Sequence, residues 1–208
     1  SLVDTGFLVY DHDQRGYRLG AIHLSLALSF RAAQPALDTA LPLMRDLAEK
    51  QRINVGIAVL DGTEMVYLDS VRFSRAGIFR RLVPGSRTPA ARTALGRAYL
   101  SSLPAIDQRL RLEELAREHG PDWKQLKHEI KMAFQDVRQR GYCSAQWQLG
   151  IFSVATPVQN TTAERYALNI SLPMTDIPAE ELTATYGRSL LTLKEEINGR
   201  WQSNQLSE

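Results

Sequence analysis

Asn54-Val55-Gly56-Ile57-Ala58-Val59-Leu60, then Asp61-Gly62-Thr63, then Glu64-Met65-Val66-Tyr67-Leu68-Asp69-Ser70-Val71 is the stretch whose reading decides the fold. Upstream of it the apolar residues recur at helical spacing; here the period changes to two, as a pleated strand requires. Asp61-Gly62 between the runs tolerates the positive φ of a tight hairpin turn. The reading is an antiparallel pair of strands over residues 54–60 and 64–71. Residues 79–83 read as a third strand, closed by Pro84-Gly85, and residues 151–158 and 165–172 as two more around a polar turn at 159–164.

Helical patterns surround these strands. Leu37, Leu41, Met44, Leu47 and Ala48 form a stripe over residues 36–50, in which Pro42 implies either a kink or a fresh helix start. Residues 91–103 and 106–119 read as helices, the second stopping at Gly120. Trp123, Leu126, Ile130, Phe134 and Val137 mark a longer helix that starts near Pro121-Asp122 and ends at Gly141, placed for a left-handed cap. A closing helix opens at Pro178 and carries Leu182, Tyr186, Leu190, Leu193, Ile197 and Trp201 on one face. Strands that join by hairpins and are interspersed with helices predict an α+β domain, an antiparallel sheet covered by helices.

The first 38 residues read differently. Residues 6–10 and 16–19 are β-rich around the polar turn 11–15, a two-stranded hairpin that is marginal on its own. In residues 20–33, Ile22, Leu24, Leu26, Leu28 and Phe30 alternate as in a strand, while the Ala, Leu, Ser and Arg content favours a helix. We read a helix. Leucines on more than one of its faces imply burial all round or packing against another chain.

Composition narrows the function classes. The chain has 208 residues, 44% of them hydrophobic and 23% charged, enough to bury a core without disulfide or metal. A single cysteine, Cys143, allows no intramolecular disulfide and points to a reducing compartment. No apolar run of about 18 residues occurs, and the start carries no basic-then-apolar segment, so the expectation is a cytoplasmic globular protein. The net charge of +2 hides an asymmetry: nine arginines lie between Arg72 and Arg111 with one acid, Asp107. This block reads either as a solvated arginine-rich surface or as a field for an anionic effector or an assembly partner.

No catalytic constellation is legible. His12, His23, His119 and His128 are scattered without metal-ligand spacing, and neither a nucleophile elbow nor a phosphate-binding loop occurs. Cys143 reads as a buried small hydrophobe, with a thiol nucleophile as the alternative. The expectation is therefore no enzyme, no metal and no cofactor. Two segments stand out instead. Pro89-Ala90-Ala91-Arg92-Thr93-Ala94-Leu95-Gly96-Arg97-Ala98 joins a loop to a helix with small residues, either for close packing or to expose first-turn N–H groups to a ligand. Ser153, Asn169 and Ser171 are polar among apolar strand neighbours, and Asn169 and Ser171 share one face.

An ordered set of motifs resembles one family. Gly16-Tyr17-Arg18-Leu19-Gly20, Ala40-Leu41-Pro42-Leu43-Met44, Thr93-Ala94-Leu95-Gly96-Arg97-Ala98, Arg140-Gly141-Tyr142, Gly150, Val154-Ala155-Thr156-Pro157-Val158 and Ile170-Ser171 with Pro173 follow in order along nearly the whole chain. The chain is similar to the isocitrate lyase regulator (IclR) family of bacterial transcription factors. That resemblance implies residues 1–19 as the remnant of a winged helix-turn-helix, with the wing hairpin at 6–19. It further implies a linker helix at 20–35 and a GAF-like effector-binding domain at 36–208.

The resemblance carries site residues with it. The effector pocket would use Thr93, Ala94, Leu95 and Gly96, the strand positions Ser153, Asn169 and Ser171, and the segment 145–149 through Gln146. Relatives are commonly acidic in that segment, where this chain has Gln146-Trp147-Gln148, and Leu95 is larger than usual. Both departures favour an aromatic or medium-sized carboxylic acid over a very small keto acid. Wing residues His12, Arg15 and Arg18 would contact DNA. The implied partners are operator DNA for the full-length protein, a small organic acid, and a second copy in a homodimer or a dimer of dimers. The recognition helix that reads bases is absent from these residues, so this chain is expected to bind operator DNA weakly or not at all.

Overall fold

The computed structural model describes residues 1–73, 82–148, 150–174 and 176–205. They form two compact units, Ser1–Asp38 and Thr39–Glu208.

In the first unit β1 (Leu8–Asp11) pairs antiparallel with β2 (Gly16–Leu19), Leu8 opposite Leu19 and Asp11 opposite Gly16. The turn between them is built by Asp11, whose Oδ1 accepts from the backbone N–H groups of Asp13 and Gln14 at 3.0 Å each. Arg15 closes it with a φ of 47°. The ambiguous segment is a helix, α1 (Ile22–Ala32), none of whose residues is buried. Its alternation put apolar side chains around the whole helix, and Leu24, Leu26, Leu28 and Phe30 stay exposed.

The next helix, α2 (Pro35–Gln51), places Pro35 in its first turn, where a missing N–H costs nothing. It runs unbroken through Pro42, so no fresh helix starts there.

The larger unit is organised by a six-stranded antiparallel sheet. Its strands are β3 (Asn54–Asp61), β4 (Glu64–Arg72), β5 (Arg87–Pro89), β6 (Cys143–Gln148), β7 (Ile151–Gln159) and β8 (Arg165–Pro173), in the order β5-β4-β3-β8-β7-β6. Gly62, at φ +61°, makes the β3–β4 turn. β3 and β8 are more than a hundred residues apart in sequence and pair at the centre, Gly56 opposite Asn169. Of the strand expected at 79–83, residues 79–81 lie outside the described residues, and Leu82 and Val83 are not in a strand. A strand starting at Cys143 was implied by the reading of that cysteine, but the short β5 and the bulge in β6 were not expected.

Helices α3 (Ala94–Ser101), α4 (Ala105–His119) and α5 (Trp123–Arg140), the last after a 3₁₀ turn at Gly120–Asp122, cover one face of the sheet. There Leu95, Leu100, Leu115, Leu126 and Ile130 pack on Ala58, Met65, Tyr67 and Ala167. α3 begins three residues later than the pattern suggested, because Thr93 is extended (φ −96°, ψ 148°) and its hydroxyl accepts from the Gly96 N–H, capping the helix. Gly141 ends α5 in the left-handed conformation (φ +85°), its N–H bonded to the Val137 carbonyl at 2.9 Å. The long closing helix α6 (Ala179–Gln205) takes the other face, Trp201 against Tyr166 of β8 at 5.9 Å between rings. α2 runs antiparallel beside it, joined by Gln51 to Ser189 and Thr39 to Asn204.

Candidate functional site

Between the sheet and the start of α3 lies a cavity of about 40 Å³, with a smaller lobe of about 20 Å³ beside Gly56. Every strand of the six-stranded sheet contributes to its walls: Thr88 from β5, Tyr67 from β4, Gly56 from β3, Asn169 and Ser171 from β8, Ile151 and Ser153 from β7, Trp147 and Gln148 from β6. Thr93 and Leu95 at the start of α3, with Leu82, close it from above. Side chains of alternate residues share a face, which is why Asn169 and Ser171 enter the cavity together while Ile170 between them is fully buried in the core.

The polar groups within are ordered by one another. Asn169 is 3% exposed; its Nδ2 donates to Ser153 Oγ at 3.4 Å and its Oδ1 accepts from the Tyr67 hydroxyl at 3.5 Å. Ser153 Oγ in turn donates to the Ile170 carbonyl at 3.2 Å. A glycine is needed opposite this chain. A Cβ on Gly56 would stand 2.7 Å from Asn169 Oδ1 and 2.5 Å from the Tyr67 ring. Burial pushes the Tyr67 hydroxyl up to about 12, with the Asn169 hydrogen bond acting in the opposite direction, so it stays a neutral donor at physiological pH.

Thr93 is occupied twice, donating to the Pro89 carbonyl at 2.9 Å and accepting from Gly96 N–H at 3.1 Å. Thr88 differs: its Oγ1 is buried and, among the described residues, has no partner. The first-turn N–H groups of a helix have no intrahelical acceptor, and its dipole favours negative charge there. The cavity therefore offers hydroxyls and a carboxamide inside an apolar wall beside the start of α3; none of the described residues lining its larger part is charged, and Arg72 lines the smaller lobe. That chemistry suits a small molecule with an anionic oxygen.

Residues 33–198 match the family described as bacterial transcriptional regulator IclR C-terminal. The chain belongs to the IclR family.

Its relatives agree with that membership. The HTH-type transcriptional regulator TsaQ1/TsaQ2 of Comamonas testosteroni is 26% identical over 98% of this chain and 74% of its own length. The Pca regulon regulatory protein of Pseudomonas putida is 25% identical over 89% of this chain and 65% of its own length. An IclR-family transcriptional regulator from Brucella abortus has the same fold with a TM-score of 0.86, at 28% identity, covering 96% of this chain and 76% of that one. An IclR homologue from Microbacterium hydrocarbonoxydans crystallised with 4-hydroxybenzoate shares the fold with a TM-score of 0.74 at 20% identity, covering 97% of this chain and 82% of that one. The sheet with helices on both faces is the family's GAF-like effector-binding domain.

On this IclR fold the residues singled out from sequence separate into groups. Thr93, Leu95, Ser153, Asn169 and Ser171 converge on the cavity. Ala94 does not line it: it is fully buried against Ala98, Ala133, Cys143 and Ala155. Gly96 does not either, since a Cβ there would run into the backbone of Ala90; its role is close packing of α3. Gln146 opens into a separate outer groove with Arg92, Arg97, Asp122, Gln125 and Glu129. The cause is the bulge in β6, where Gln146 and Trp147 stand between the pairs Ala145–Ser153 and Gln148–Ile151. It turns Gln146 outward, while Trp147 walls both spaces. His12, Arg15 and Arg18 lie in and beside the turn of the hairpin of the first unit. Sequence reasoning missed Tyr67, Leu82, Thr88 and Ile151.

The arginine block is not one field. Arg87 pairs with Asp61 and Glu64, Arg92 with Asp122, Arg109 with Glu113 and Arg111 with Glu114. Arg97, 7% exposed, bonds the Ala91 carbonyl at 2.9 Å and the Glu129 carboxylate. Burial alone would raise the Glu129 carboxyl, but the hydrogen bonds from Arg97 and Gln125 and the nearby positive charge hold it below the ordinary range. Arg75, Arg80 and Arg81 lie outside the described residues. Cys143 is fully buried, donates to the Ala94 carbonyl at 3.5 Å, and has its thiol pushed up to about 12 by desolvation. Such a thiol is protonated at neutral pH and unsuited to nucleophilic attack. Among the described residues no cluster of histidine, cysteine or acid could hold a metal, and no helix is long and apolar enough to cross a membrane.

Proposed function

We propose that this chain senses a small organic acid in the cavity over the sheet and, in the full-length protein, relays that binding to winged helices on operator DNA in the cytoplasm. It does so by binding alone, without catalysis. The observation that carries the reading is a buried cavity in which the start of α3 meets the Asn169–Ser153–Tyr67 hydrogen-bond chain. A carboxylate there accepts from the first-turn amides of α3 and from the strand polar groups Asn169 and Ser171, while Tyr67, Leu95 and Trp147 pack on its apolar part. An aromatic or medium-sized acid fits that division. The fold relative crystallised with 4-hydroxybenzoate supports the same class.

Size adds a mechanical consequence. The free space is about 40 Å³, whereas a cavity of roughly 150 Å³ is needed to hold benzene. An aromatic acid therefore enters only if lining side chains move. Trp147 is the side chain whose movement would be felt outside, because it also walls the outer groove. Coupling of occupancy to a rearrangement of this kind is what a ligand-responsive regulator needs.

Residues 1–19 are the wing part of the DNA-binding half, with His12, Arg15 and Arg18 toward phosphate, and residues 20–35 are the linker helix. The exposed Leu24, Leu26, Leu28 and Phe30 of α1 are the surface covered when two copies form a homodimer, singly or as a dimer of dimers. A thermal-shift screen of aromatic and aliphatic carboxylic acids tests the sensing role. Saturable stabilisation by members of one chemical class is expected. Failure of every acid to raise Tm at millimolar concentration would remove it.

A further inference from the structure

We infer that Thr88 is a specificity-determining contact, its hydroxyl held for a second hydrogen-bonding group of the effector, remote from the carboxylate. The inference rests on the effector reading of the cavity and goes on to say which acids the cavity selects.

Thr88 differs from its polar neighbours in having no hydroxyl partner among the described residues. Thr93, Ser153, Asn169 and Tyr67 all have hydrogen-bond partners within the protein. Thr88 is 3% exposed, lines the cavity, and its Oγ1 has no partner among the described residues. Leaving a hydroxyl desolvated and unbonded is unfavourable, and valine would fill the same volume without that cost. Leu82 and Leu95 beside it offer no acceptor.

Placement sets Thr88 apart from a carboxylate held by the strand groups Asn169 and Ser171. Thr88 sits on edge strand β5, and Asn169 and Ser171 sit on β8, with β4 and β3 between them. Three strand spacings amount to about 14 Å before the sheet's curl shortens them. One carboxylate cannot bond both ends. An acid with a hydroxyl or amino group on the far side of its ring can. A single ordered water is the competing occupant, since a space of roughly 10–15 Å³ suffices for one.

Pairs of acids that differ by one group make the test: 4-hydroxybenzoate against 4-methylbenzoate, and 4-hydroxyphenylacetate against 4-methylphenylacetate. Titration calorimetry is run on the wild type, Thr88→Val and Thr88→Ser, with Tm showing that each variant is folded. The expectation is that Thr88→Val weakens the hydroxylated acid about tenfold and leaves the methylated one within twofold or tighter, while Thr88→Ser keeps the preference. Equal changes for both members of a pair, or none, would mean that water alone uses the hydroxyl and would overturn the assignment. If the wild type binds none of these acids, it is the aromatic-acid reading of the cavity that fails, and the assignment falls with it.

Discussion

Replacing Gly96 with alanine should destabilise the protein although alanine is the better helix former. In an isolated helix Gly→Ala contributes about 1 kcal/mol. At position 96 the new Cβ would meet the Cα, C and O of Ala90 well inside 3.0 Å, and all three are backbone atoms with no rotamer to retreat into. α3 would have to lift from the Pro89–Arg92 segment that precedes its cap, Thr93. Overpacking of this kind costs roughly 1–3 kcal/mol, and backbone against backbone belongs at the upper end. The net expectation is a loss of about 2 kcal/mol, or a fall in Tm of roughly 4–8 °C for a domain of this size. Gly199→Ala is the internal control. It lies in α6 with nothing within 4 Å of the added methyl, so it should raise stability by about 0.5–1 kcal/mol. Urea denaturation followed by far-UV circular dichroism compares the two. A Gly96→Ala protein as stable as the wild type, or shifted in the same direction as Gly199→Ala, would refute the packing argument.

Other consequences are open to direct measurement. Leu95→Ala removes a side chain that is 1% exposed and shared by core and cavity, so it should cost about 3 kcal/mol while admitting bulkier acids, checked by denaturation and calorimetry. Because Glu129 titrates below the ordinary carboxylate range in the folded state, its contribution is complete above that range and is lost as pH falls through the lowered value. Glu129→Gln should therefore lower Tm at pH 7, with a difference from wild type that shrinks under acid. Cys143 should resist a thiol-specific reagent at pH 8 in native protein and react promptly in denaturant, as followed by mass spectrometry.

How much of this was written plainly in the chain follows from what each segment does locally. The β3–β4 hairpin was legible because period-two alternation and Asp61-Gly62 agree, and each would have been weaker alone. α1 carried the opposite conflict: alternation said strand, propensity said helix, and its exposed leucines show why a burial pattern cannot arbitrate where nothing within the described chain covers the residues. The extent of β6 beyond Cys143 went unread because its bulge breaks the alternation at Gln146 and Trp147, and β5 because three residues carry no period.

The site divides along the same line. Asn169 and Ser171 could be found because one strand sets them two apart, and Thr93 because its small-residue segment at a loop-to-helix junction carries the family resemblance, although its role as the cap was not read. Tyr67, Thr88 and Ile151 could not. They meet only through the order β5-β4-β3-β8-β7-β6, which joins strands distant in sequence. Gly96 illustrates the remaining ambiguity: a glycine at a loop-to-helix junction serves a ligand or a neighbouring backbone equally well in sequence, and only the proximity of Ala90 decides for the backbone.

The central claim is that a small organic acid occupies the cavity between the sheet and α3. A crystal structure of the protein with the acid that most raises its Tm tests this most directly. The account predicts electron density for the acid between Tyr67, Leu95 and Trp147, its carboxylate within hydrogen-bond distance of the α3 first-turn amides and of Asn169 or Ser171. Density for the acid only elsewhere on the molecule, with the side chains around Asn169 unmoved, would contradict it.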